Sequence, residues 1–106
     1  MRRNRQLGQV TIAILKAIDD GRAFGLDIMG ATSLPSGTVY PTLSKLEERG
    51  LLEASWEDDR IAQQEGRPRR RYYRITQAGS TALGEALRRL EFLATGSKSE
   101  PAARDA

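Results

Sequence analysis

Between Ser36 and Glu57 the hydrophobic period of the chain changes once, from helical to alternating, and this limits the fold more than any other feature. In "SGTVYPTLSKLEERG", Val39, Leu43, Leu46 and Gly50 fall within a narrow arc at about 100° per residue, which is one face of a helix. In "LLEASWE", Leu52, Ala54 and Trp56 point one way while Glu53, Ser55 and Glu57 point the other, as in a half-buried strand. Gly50 stands at the junction, placed to take the left-handed position that ends the helix. Ser36 is the best N-cap, because serine can accept from an N–H one turn on. Pro41 is then the fifth helical residue and forfeits one backbone bond, to the Gly37 carbonyl. A helix beginning at Thr38 would put Pro41 in the first turn and forfeit none. Both caps are compatible with the sequence, and the choice decides which hydroxyl stays free.

The remaining elements follow from the same periodicities. Leu7, Val10, Ile14 and Ile18, widened by Leu15 and Ala17, predict a first helix over residues 7–20, ended by Gly21. A shorter helix over residues 25–31 uses Leu26, Ile28 and Met29. "DDRIAQQEGRP" is polar, with Gly66 and Pro68 as breakers, and reads as a loop. "RRYYRI" alternates again, with Arg71, Tyr73 and Ile75 on one face, so the two strands predict an antiparallel hairpin. Thr76 caps a last helix over residues 77–94. Its stripe is Leu83, Leu87, Leu90 and Ala94, with Ala86 and Leu93 beside it. Residues 1–6 form a basic arm, residues 7–94 one domain, and residues 95–106 an aperiodic tail expected to be disordered. The order α-α-α-β-β-α is mainly α with a small β-hairpin, that of a winged helix-turn-helix in which the hairpin is the wing.

With 106 residues and no histidine or cysteine, the chain excludes disulfide frameworks, Cys/His zinc sites, thiol nucleophiles and Ser-His-Asp triads. Glu47/Glu48 and Asp58/Asp59 are adjacent pairs that do not converge on one point. No glycine-rich phosphate loop is present, so an enzyme, a metal site and a cofactor are not expected. No apolar run approaches the ~18 residues that span a bilayer. "MRRNRQLG" lacks the apolar segment of a signal peptide. The expectation is a cytoplasmic, nucleoid-associated protein without membrane contact. A domain of this size is marginal as a monomer. The last helix carries a stripe longer than one small domain needs, so Leu83, Leu87, Leu90 and Ala94 are expected to pack on a second copy.

Net charge is only +3, but its distribution is uneven. "RPRRRYYR", residues 67–74, holds five arginines and no acid, whereas residues 47–65 hold seven acids against two arginines. Arg67, Arg69 and Arg70 at the wing's second shoulder, with Arg60 in the loop, are placed for DNA phosphates or a narrow minor groove. Arg2, Arg3 and Arg5 would add non-specific attraction. On the third helix, the face opposite Val39 and Leu43 carries Pro41, Ser44 and Lys45, with Thr38 and Tyr40 on its flanks, and Ser36 and Thr42 complete the candidate set. Small, hydroxylated or flat side chains near a helix N-terminus suit entry into the major groove. The rival reading of these features is a winged-helix protein-protein interaction module that docks a partner through the same helix. Trp56 is expected in the core, with a stacking platform as its alternative.

"SGTVYPTLSKLEERGLLEASWE" followed by "GRPRRRYYRITQAG" resembles the PadR family of bacterial transcriptional regulators, over residues 7–90. The resemblance implies a winged-helix homodimer that binds an inverted-repeat double-stranded DNA operator, usually as a repressor and often with a small-molecule effector. It implies Ser36, Thr38, Tyr40, Pro41 and Lys45 in the major groove, with Arg67, Arg69 and Arg70 on the wing. Many members have a further C-terminal helical domain; this chain has one terminal helix, as in the short branch. Some short relatives bind flat aromatic drugs between tryptophans of the terminal helix. Here that helix has Phe92 and no tryptophan.

Overall fold

A computed structural model describes residues 7–96. They form α1 (Gln9–Asp19), α2 (Gly25–Thr32), α3 (Ser36–Glu48), β1 (Leu52–Trp56), α4 (Asp59–Glu65), β2 (Arg71–Ile75) and α5 (Gln77–Thr95). The arm at residues 1–6 and residues 97–106 of the expected tail lie outside the described residues.

Helices α1, α2 and α3 wrap one core. Ile14, Leu15, Ile28, Val39, Leu43, Leu46 and Leu52 are its most enclosed large side chains, and Leu83 and Ala86 join it from α5. Two members of the expected stripes are corrected. Val10 and Leu26 are exposed, while Ile12, which lay off the α1 stripe, is buried. Burying such a face is what stabilises short helices, whose own backbone bonds form at a costly nucleus.

α3 begins one residue earlier than a Ser36 cap requires. Its N-cap is Pro35, in extended conformation, and no side chain caps it. The Pro35 carbonyl accepts from the Thr38 and Val39 amides, each at 3.0 Å. Proline suits the position because its fixed φ, here −77°, is compatible with the cap and its missing N–H is not needed there. Neither Ser36 nor Thr38 therefore spends its hydroxyl as a cap. Pro41 becomes the sixth helical residue, and Thr42 Oγ1 donates to the Thr38 carbonyl at 2.7 Å one turn back. At the other end Gly50 has φ +75°. The Gly50 and Leu51 amides bond the Glu47 and Leu46 carbonyls, each at 3.0 Å, closing a Schellman motif that turns the chain into β1.

β1 and β2 pair antiparallel from Leu52↔Ile75 to Trp56↔Arg71. A third short edge comes from the α1–α2 connection: Phe24 bridges Tyr72, and the Tyr73 amide donates to the Ala23 carbonyl at 2.7 Å. The segment expected to be a loop contains α4. Asp58 caps it through its side chain, accepting from the Arg60 amide at 2.8 Å, and Gly66 ends it at φ +68°. Ala62, 3% exposed, is the one side chain that anchors it inward. The order is thus α-α-α-β-α-β-α, a winged helix-turn-helix with a helical turn built into the wing.

Thr76 joins the last helix to the rest. Its Oγ1 accepts from the Gly79 amide at 3.0 Å and donates to the Gly50 carbonyl at 2.7 Å, so one hydroxyl caps α5 and pins it to the end of α3. Gly79 is required by this approach, since a Cβ there would overlap the Leu51 carbonyl oxygen.

Candidate nucleic-acid interface

Because α3 buries Val39, Leu43 and Leu46, its 3.6-residue period turns Ser36, Gly37, Tyr40, Pro41, Ser44 and Lys45 outward. Glu48 continues that face at the C-terminal end. Thr38 and Thr42 lie half-buried on its flank, and the Thr42 hydroxyl is held by the Thr38 carbonyl. The residues picked out on this helix therefore form one strip, with Thr38 and Thr42 at its edge. Tyr40 differs from the others: its phenol crosses to the start of α2 and lies on Gly25, where a Cβ would overlap the ring.

The wing arginines are arranged by one carboxylate. Glu57 follows β1 directly, and its side chain is only 4% exposed. Its Oε1 accepts from Arg67 Nη1 at 2.7 Å and from the Arg70 amide at 3.2 Å. Its Oε2 accepts from Arg67 Nη2 at 2.9 Å and from the Tyr72 hydroxyl at 3.3 Å. The fork-to-fork geometry with Arg67 is the strongest form of ion pair available to a carboxylate. The Arg67 bonds above all, then those from Arg70 and Tyr72, hold the Glu57 pKa down at about 2 against the opposing effect of burial. Arg67 is thus turned inward to Glu57, in contrast to its expected place beside Arg69 and Arg70 on the open wing.

The other wing arginines face out, and most carry a carboxylate partner. Arg69 Nε lies 3.1 Å from Asp59 Oδ1, and its guanidinium sits over the Trp56 ring at 4.9 Å. Arg71 bonds Glu47 at 3.1 Å and approaches the same ring at 5.1 Å. Arg74 pairs with Glu53, and Arg60 with Asp58 at 3.0 Å. Arg70 alone among the five arginines of residues 67–74 has no carboxylate partner among the described residues; it stacks on Phe24 at 3.9 Å. Trp56 is corrected from core to surface at 55% exposure, because the β1 face carrying it runs past the core at that end. With Phe24, Tyr40 and the arginines it lines a groove of about 340 Å³ between the start of α2, α3 and the wing. Sequence patterning missed Glu57 and Phe24. Glu57 fell on the polar side of the alternation, and Phe24 stood alone between two helices.

On α5 the expected stripe divides. Leu83 is buried in the core, but Leu87, Leu90 and Ala94 lie on the surface of the chain, as do Phe92 and Leu93. No group of acidic, histidine or cysteine side chains among the described residues could hold a metal ion. None of the described helices is long and apolar enough to cross a membrane.

Residues 14–85, more than half of the chain, match the model of the transcriptional regulator PadR-like family. The transcriptional regulator Rv3488 of Mycobacterium tuberculosis is 50% identical over 58 residues, 55% of this chain and 49% of that protein, so the match spans about half the relative's length. A PadR family transcription regulator from Clostridium difficile superposes with a TM-score of 0.73 at 24% identity, covering 83% of this chain and 93% of the other. BpsR of Bordetella bronchiseptica, whose DNA binding is regulated by 6-hydroxynicotinic acid, superposes with a TM-score of 0.69 at 21% identity. That likeness covers 96% of this chain and 74% of the other.

Proposed function

Since the chain belongs to the PadR-like family of transcriptional regulators, we propose that it binds a double-stranded, inverted-repeat operator as a homodimer and represses transcription from it. The observation that carries this reading is the outward strip of α3. Ser36, Ser44 and Lys45 are exposed with small neighbours around them, so a base edge can come close to the helix. Tyr40 and Pro41 stiffen the leading half of that strip. Arg69 and Arg70 reach the flanking backbone from the wing, while Arg67 serves by holding the wing's shape. Dimerisation falls to the second half of α5, where Leu87, Leu90 and Ala94 await a partner. Release by a small-molecule effector belongs to the same proposal; 6-hydroxynicotinic acid, which regulates DNA binding by the Bordetella neighbour, is a precedent on a similar fold. The protein works without catalysis, in the cytoplasm.

Footprinting on the DNA upstream of the chain's own coding region tests the reading. A protected inverted repeat, bound at least about 10³-fold more tightly than random duplex at physiological salt, is expected. Equal affinity for both would overturn it.

A further inference from the structure

The groove beneath the wing is unlike the α3 strip, because it combines exposed rings with guanidinium groups. Trp56 is 55% and Tyr40 44% exposed, and Leu26 at 68% extends the apolar floor. Arg69 and Arg71 hold positive charge about 5 Å from the indole centre, and Arg70 does the same over Phe24. Large apolar side chains left bare beside cations mark a contact surface. The occupant must offer apolar faces and negative charge in close alternation. The sugar–phosphate backbone of DNA has that composition, with carbon-rich deoxyribose faces between phosphates. The groove is also continuous with the α3 strip, because Tyr40 belongs to both. A helix seated in a major groove would bring the flanking strand to it.

Resting on the DNA-binding reading above, we infer that this groove seats one flanking stretch of the operator's sugar–phosphate backbone. Trp56 packs on a deoxyribose there, while Arg69 and Arg70 take the phosphates on either side. Trp56, which no pattern in the sequence marked for DNA, is then a contact residue. Its contribution is independent of sequence, because every nucleotide has the same sugar.

The test uses the full chain with the footprinted operator and a random duplex of equal length. Trp56 is the chain's one tryptophan, so its emission reports the groove directly. Trp56→Ala should weaken binding to both duplexes by about tenfold, with far-ultraviolet circular dichroism unchanged, and Trp56→Phe should restore most of it. In the unmodified protein, emission should shift as duplex is added. Operator affinity unaltered in Trp56→Ala, alongside a loss in Lys45→Ala, would overturn the groove assignment while leaving the α3 reading intact. Failure of the unmodified protein to bind any duplex would overturn both. Benzoate serves as a probe of the rival occupant: an emission shift with benzoate and none with DNA would assign the groove to a small aromatic anion and overturn the proposal.

Discussion

Glu57 shows how much one buried carboxylate can organise. Each of its oxygens accepts two bonds, and its donors are the Arg67 guanidinium, the Arg70 amide and Tyr72 of β2. Glu57→Gln keeps the shape but loses the charge, and leaves the Arg67 guanidinium without its partner in a partly enclosed site. The variant should melt several degrees lower and bind DNA more weakly, as thermal denaturation and titration would show. The pH dependence has a definite sign. The folded pKa, about 2, lies below the ordinary 4.5, so the contribution to stability is complete above about pH 4.5. It declines as pH falls toward 2, and that acid limb should flatten in Glu57→Gln. At the same scale, Gly79→Ala places a methyl against the Leu51 carbonyl and should cost about 1–3 kcal/mol in urea denaturation. Sequence reading was least successful for single residues of this kind. Glu57 and Trp56 sat where strand alternation predicted them opposite to how they are used, because the alternation holds only as far as the core extends.

Among the elements, the four predicted helices and the hairpin were legible because each carries a periodic apolar pattern in its sequence. α4 was not, since it contributes only Ala62 to the interior and owes its ends to Asp58 and Gly66. The start of α3 was displaced for a related reason: Pro35 supplies a backbone carbonyl, which leaves no side-chain signature. Two substitutions test how elements are joined. Thr76→Ala removes both the α5 cap and the bond to Gly50, and should cost about 1–2 kcal/mol, measured by chemical denaturation. Asp59→Asn releases Arg69 from its carboxylate while leaving the Asp58 cap in place. Its expected effect is a several-fold tighter complex with any duplex at low salt, read by titration, and a smaller gain at high salt.

For the molecule as a whole, the divided stripe of α5 is the consequential feature. Leu83 and Ala86 belong to the chain's own core, whereas Leu87, Leu90 and Phe92 extend beyond it as an apolar surface. Leu90→Glu should convert a dimer to a monomer in sedimentation velocity, with little loss of helical signal and a large drop in operator affinity. Periodicity revealed the stripe but could not divide it, since helical spacing is the same for both kinds of contact. The ion pairs of the wing have a wider consequence. When free basic side chains meet DNA, the mobile cations they displace gain entropy in solution, and affinity falls by roughly 0.9 log unit per log unit of salt for each phosphate neutralised. Here Arg69, Arg71 and Arg74 each already carry a carboxylate of the same chain, and Arg67 is turned inward to Glu57. An anion tethered in this way cannot be diluted away: it stays near the phosphate that replaced it. The wing therefore carries its own resident counterions, and the DNA binding proposed above should depend less on salt than five neighbouring arginines would suggest.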